Sequence, residues 1–275
     1  MKLTFLGTGT SYGLPYIGCD CAVCRSDDPH NKRLRCSVLV EAGSTQTAQT
    51  PDSAGTAASS RPTRLLIDTT PDMRQQLLRA GVSRISAVLW THAHNDHIIG
   101  LDDIRPLCDR AGYIGGYTNA ETMAHLQHVF GYAFVPGRDH GGFPRMKSHV
   151  IQPGHSFQAG DIRVTAVPIL HYRREIFAYR FEYDGRTLVY ATDCSHIPDG
   201  SWELMQGADV LVLGALRHKE HVAHFSLQQA IDAAGKLKPA RALFTHMAHD
   251  LDHEATNAIL PPGIELAYDT LTLEF

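Results

Sequence analysis

Four side chains with metal-binding chemistry fall within six residues of one another: His92-x-His94-x-Asp96-His97, in the heptapeptide THAHNDH at 91–97. Alternate histidines leaving a strand end point to one side, and the turn that follows brings Asp96 and His97 to an adjacent position. Three imidazoles and one carboxylate suit zinc or another borderline divalent ion. A second cluster is made of sulfur. Cys19, Cys21 and Cys24 form C-x-C-x-x-C, which supplies either three of the four ligands of a tetrahedral structural zinc or three free thiols, two of them able to act as a redox pair. The chain holds 17 histidines and six cysteines. Spacing, not abundance, singles out these two groups.

The elements that must position them can be read from pattern. Residues 2–6, 36–41 and 64–68 are short runs of β-forming residues. The run 85–90 (ISAVLW) leads straight into THAHNDH. Further strands are expected over 162–169, 176–183, 187–191, 209–213 and 241–245, and helices over 72–80, 119–131 and 226–236. The helix over 72–80 is expected to bury Met73, Leu77 and Leu78, with Gly81 as its stop. Residues 43–63 are rich in Ser, Thr, Ala and Gly and nearly uncharged, which reads as a flexible loop insertion. The stretch 101–150 carries no pattern beyond the one helix and leaves room for a substrate-covering loop. Strands in two groups, each followed by helices, predict two sheets packed face to face between helical layers.

The 275 residues fit one α/β domain spanning 1–275. A net charge of −4 argues against a protein whose main task is gripping a polyphosphate backbone. The first residues, MKLTFLGTGTSYG, hold too short an apolar run for a secretion signal, and no later run reaches the length of a membrane span. The expectation is a reduced, cytoplasmic protein with no membrane partner. A homodimer is one allowed assembly.

THAHNDH resembles the HxHxDH signature of the metallo-β-lactamase superfamily, a four-layer αββα fold. Further motifs follow in the same order: Asp68 closing LLIDTT, His171 after the 162–169 strand, Asp193 in YATDC and His246 in LFTH. The resemblance implies one metal on His92, His94 and His171. It implies a second on Asp96, His97 and His246, with Asp193 bridging the pair and Asp68 orienting the metal loop. An aspartate at the bridging position resembles the phosphodiesterase and glyoxalase branches, not the zinc β-lactamases. The N-terminal GTGTSYGLP at 7–15 followed by the three cysteines is similar to the PhnP-type cyclic phosphodiesterases. That similarity implies a structural zinc on Cys19, Cys21, Cys24 and His249.

The implied cofactors are therefore two catalytic divalent ions, zinc or manganese, and one structural zinc. The implied activity is hydrolysis of a small phosphate diester, cyclic forms such as a phosphoribosyl 1,2-cyclic phosphate included, through a hydroxide generated between two metals. His224, in AHFSLQQA, resembles a histidine shared by PhnP-type enzymes and tRNA 3′-end nucleases, and is the candidate proton carrier, with Asp96 able to share that work. It is otherwise one of three solvated histidines with His218 and His221. Arg173 and Arg174 either reach a substrate phosphate or are solvated. The rivals are an RNA-end-processing nuclease, an ester or thioester hydrolase on the same metals, and an accessory protein like the PQQ-pathway members that share the cysteine cluster.

Overall fold

A computed structural model describes residues 1–43, 61–137 and 142–275. The strands are β1 (Lys2–Gly7), β2 (Ser37–Ala42), β3 (Thr63–Ile67), β4 (Ala87–Leu89), β5 (Ile114–Thr118), β6 (Met146–Val150) and β7 (Ser156–Ala159). They continue as β8 (Ile162–His171), β9 (Arg174–Tyr183), β10 (Arg186–Ala191), β11 (Val210–Gly214), β12 (Arg241–Thr245), β13 (Ile264–Leu266) and β14 (Thr272–Glu274). One sheet runs β14-β1-β2-β3-β4-β5-β6, the other β13-β12-β11-β10-β9-β8-β7.

Both sheets are built alike. An antiparallel meander, β1-β2-β3 in one and β7-β8-β9-β10 in the other, passes into parallel strands joined by crossovers. The central strands are apolar on both faces, and the period of two divides them between different cores. Leu65 and Ile67 of β3 face the opposing sheet while Leu66 faces outward; on β10, Leu188 and Tyr190 face the opposing sheet while Val189 and Ala191 face outward. One core, with Phe5, Val38, Phe177 and Tyr179, lies between the sheets. A second packs the helix Leu227–Leu237 on the β10–β12 side, and a third packs the helices Met73–Arg79 and Arg105–Ala111 on the β3–β5 side. The four-layer αββα sandwich follows.

Local signals place the helices. Ser226 closes a capping box with Gln229, so the helix Leu227–Leu237 starts at a fixed residue. Asn119 caps the helix Ala120–Val129. Gly81, at φ 64°, ends the segment after Met73–Arg79 as expected. On that helix Met73 and Leu77 are buried, but Leu78 is 65% exposed and does not share their face. The described part of the stretch 101–150 supplies β5 and β6 and two helices to the first sheet's side of the sandwich, more regular structure than the one helix its pattern showed. Gly115 and Gly116 weaken the β-pattern of β5, and the Gly116 Cα lies so close to Trp90 that a Cβ there would meet the indole at 2.5 Å. Of the segment 43–63 expected as a loop insertion, residues 44–60 lie outside the described residues. No described helix is long and apolar enough to cross a membrane.

Candidate metal centre

The candidate ligands leave the ends of four strands and meet at the edge shared by the two sheets. His92, His94, Asp96 and His97 follow β4, the last two on the short helix Asn95–Ile98. From the second sheet come His171 at the end of β8, Asp193 after β10 and His246 after β12. Asp193 and His246 hold left-handed backbone, φ 54° and 59°. Residues without glycine's freedom hold such angles where the surroundings impose them, commonly at functional sites.

The ligand atoms of His92, His94 and His171 lie within 4.8 Å of one another, as do those of Asp96, His97 and His246. His92 Nε2 and His94 Nδ1 are 3.0 Å apart. Asp193 stands between the groups, Oδ1 3.2 Å from His246 Nε2 and Oδ2 3.4 Å from His97 Nε2. All seven residues named from the sequence are brought together.

A second set of residues holds the first. His97 Nδ1–H donates to Asp68 Oδ2 at 2.7 Å. Thr91 Oγ1 lies 2.9 Å from Asp68 Oδ2 and 3.0 Å from His92 Nδ1, so its hydroxyl relays between them. His171 Nδ1 lies 2.9 Å from the Asp193 carbonyl oxygen and 2.8 Å from that of Ala223, so it carries the proton and donates. Each contact fixes a tautomer that leaves the other ring nitrogen free for a cation, the usual support of a ligating histidine. Asp68, at φ 66°, is fully buried. Beneath the site, Thr192 Oγ1 donates to Asp193 Oδ2 at 2.7 Å. Thr91 and Thr192 were invisible in the sequence as partners. Gly100 packs the short ligand helix against Thr70, where a Cβ would come within 1.9 Å of its carbonyl oxygen.

The site fits cations. Among the described residues, His97 Nε2 and His246 Nε2 are buried with no hydrogen-bond partner, a condition that native proteins rarely leave uncorrected. Burial alone lowers the pKa of His97, but the negative charge of Asp96, Asp193 and Asp68 outweighs it and raises it well above the ordinary value, the same charge that a cation at Nε2 would answer. Burial raises Asp193, and the surrounding histidines, His246 first, more than reverse it. Asp96 is likewise pushed up by burial and pulled well below the usual carboxylate range by His97. Burial drives His92 well below its ordinary value. The carboxylates thus demand positive charge that the histidines supply only partly, and divalent ions would supply it.

His224 lies at the same centre. Its Nδ1 is 3.5 Å from Asp193 Oδ1, and its ring stacks on His246 with centroids 4.9 Å apart. Burial lowers its pKa to about 3 against the pull of Asp193. His221 rests on it, ring centroids 5.1 Å apart, while Arg173 and Arg174 form the β8–β9 turn and its flank.

The sulfur cluster is a separate group. His249 Nδ1 lies 3.3 Å from Cys19 Sγ, 3.7 Å from Cys21 Sγ and 3.6 Å from Cys24 Sγ. A tetrahedral zinc with ordinary bond lengths places its N and S ligands about 3.6 Å apart. The ring of Tyr16 stacks on His249 at 4.1 Å. Backbone N–H contacts, Cys24 first, lower the Cys21 thiol, whereas burial raises Cys24 to about 11. Arg33, only 1% exposed, donates to the carbonyls of Ala248 and Leu251 and so fixes the loop that carries both His246 and His249. Thr10 N–H to Met247 O and Met247 N–H to Thr8 O lace that loop to the GTGTS segment. Nothing in the sequence marked Arg33.

A family model described as the beta-lactamase superfamily domain matches residues 63–247. The chain belongs to the metallo-β-lactamase superfamily. A crystal structure described as a new diphosphatase from the PhnP family is 43% identical, with a TM-score of 0.84, covering 100% of this chain and 96% of that one. A Porphyromonas gingivalis protein named octanoyltransferase is 34% identical over 275 residues, covering 98% of this chain and 51% of the relative, so the chain spans about half its length. A ribonuclease Z of Nostoc sp. is 26% identical over 281 residues, covering 76% of this chain and 84% of the relative.

Proposed function

We propose that this chain hydrolyses a small phosphate diester, with a cyclic diester such as a phosphoribosyl 1,2-cyclic phosphate as its model substrate. The observation that carries the reading is the buried His/Asp centre with its partnerless nitrogens, two three-residue groups joined by Asp193 and flanked by His224. One ion would sit on His92, His94 and His171 and one on Asp96, His97 and His246, with a third, structural zinc on Cys19, Cys21, Cys24 and His249. Two divalent ions in such a site lower the pKa of bound water and neutralise charge gathering on phosphoryl oxygens.

The rest belongs to the chain. Asp68 and Thr91 hold His92 and His97 in the tautomers that face the centre. Asp96, beside His97, is an acceptor for a proton released during attack. His224 is the candidate to deliver a proton to the departing oxygen. It is neutral in this arrangement, and the negative charge of a bound phosphate adds to that of Asp193 in favouring the imidazolium.

The whole-length similarity to a PhnP-family diphosphatase supports a second substrate form, a diester of diphosphate, in which each phosphorus likewise carries two substituted oxygens. The RNA-end nuclease reading has the ribonuclease Z relative behind it, but the net charge of −4 favours a small substrate.

The test is metal content together with turnover of bis(p-nitrophenyl) phosphate and of a P–O–P diester by wild type, Asp193→Ala and His224→Ala. About three ions per chain are expected, with activity abolished by Asp193→Ala and reduced about 100-fold or more by His224→Ala. A wild type that carries its metals and cleaves neither class, or a His224→Ala variant of undiminished rate, overturns the proposal.

A further inference from the structure

The β8–β9 hairpin turns on two residues, Tyr172 and Arg173, between the paired His171 and Arg174. Two-residue hairpins require positive φ at their first central position, where glycine, asparagine or aspartate is the usual choice. The neighbouring β9–β10 hairpin obeys that rule with Asp184 and Gly185, φ 50° and 71°. The β8–β9 turn instead forces a tyrosine to φ 56°, a strained conformation for a bulky side chain. It is held there from below: the Tyr172 N–H donates to Ser195 Oγ at 2.9 Å, and Ser195 Oγ–H donates to the Leu170 carbonyl at 3.0 Å. Tyr172 is 53% exposed, so packing does not explain the strain. The Arg173 guanidinium lies 5.1 Å from the ring centroid. His171, the candidate ligand, immediately precedes Tyr172 in the chain. Strain maintained at the rim of a reactive centre, around a side chain that buries little, points to a ligand.

We propose that Tyr172 and Arg173 form a nucleotide-recognition subsite, the ring stacking on a purine base while the guanidinium pairs with a phosphate oxygen of the same substrate. An aromatic face beside a fixed cation matches a π-system joined to an anion, which is the chemistry of a nucleotide. The proposal rests on the phosphorus–oxygen hydrolase reading and narrows its substrate to a base-bearing one.

The experiment compares Tyr172→Phe, Tyr172→Ala and Tyr172→Gly on adenosine 2′,3′-cyclic phosphate and on ethylene phosphate, which has the same cyclic diester without the base. Binding of adenosine 5′-monophosphate is followed in parallel by saturation-transfer NMR, which needs no turnover. Tyr172→Ala and Tyr172→Gly should raise KM for the adenosine substrate about tenfold, with kcat little changed and ethylene phosphate unaffected. Tyr172→Phe should match the wild type. Tyr172→Gly, relieved of the strained φ, should unfold no earlier than wild type while still losing affinity, an outcome that a purely structural role does not produce. Equal effects on both substrates, or saturation transfer that is absent in wild type or unchanged in Tyr172→Ala, overturn the subsite. If neither diester is cleaved but transfer to AMP disappears in Tyr172→Ala, the subsite stands and the hydrolytic reading fails.

Discussion

At the scale of single residues, the site is decided by which nitrogen of each histidine carries its proton. Asp68 sets this for His97 directly and for His92 through Thr91. Asp68→Asn keeps the volume but removes the charge, and an amide accepts less strongly from the imidazole. Metal affinity, read by competition with a chromophoric chelator, should fall about 10- to 100-fold while the fold persists. Away from the metals, His253 packs against His30 and Tyr268, with Arg33, Asp28 and Asp252 as its charged neighbours. Burial first, then His30 and Arg33, lowers its pKa to about 4. The unfolded chain therefore binds this proton more readily than the folded one, so the contribution is complete above about pH 6.5 and is lost as pH falls toward about 4. His253→Gln should flatten that part of the pH–stability profile, measured by denaturant unfolding; an unchanged slope would remove His253 from the account. The metal-ligand candidates were legible because four of them fall within six residues and the others follow strands. Thr91, Thr192 and Arg33 were not, because their partners are distant in sequence or are backbone carbonyls common to any chain.

At the scale of elements, the loop 246–251 links the two metal-binding groups, since it carries both His246 and His249. Its shape is held by Arg33, whose guanidinium reaches the carbonyls of Ala248 and Leu251 and the amide oxygen of Asn31. Replacing it by methionine fills the space but leaves buried carbonyls without donors, each costing about 1–3 kcal/mol. Arg33→Met should therefore lower unfolding stability by about 3 kcal/mol and reduce the zinc held by the cysteine cluster in the same protein. Stability lost with zinc retained would show that Arg33 supports the fold without shaping the loop. Strands buried on both faces were legible as continuous apolar runs such as VLVL at 210–213. β5 and β6 were not: two glycines interrupt one, and Lys147, Ser148 and His149 make the other polar. The helix Met73–Arg79 was found, but its register was misjudged at Leu78, because in so short a helix two adjacent leucines fit the periodicity equally well.

At the scale of the whole molecule, the two sheets share an inter-sheet core and meet again at the metal centre. His92, His94, Asp96 and His97 come from one sheet's loops, and His171, Asp193 and His246 from the other's. A metal bound there joins the halves by bonds the unfolded chain cannot reproduce in the same geometry, so binding adds directly to stability. The two-sheet plan was legible from the grouping of strands. The correspondence between the sheets was not, because a shared order of antiparallel and parallel pairings leaves no repeated residues. The cysteine cluster ties the N-terminal loop to His249 of the second sheet's last metal loop and should act as an independent staple. Thermal unfolding against buffered free zinc should therefore rise in two increments, each following RT ln(1 + [L]/Kd), or about 4 kcal/mol at a thousandfold excess over Kd. Cys21→Ser should abolish one increment and leave the other, with diester hydrolysis largely retained. If Cys21→Ser removes both increments, the two groups are not independent, and the sulfur cluster is needed to assemble the centre beside it.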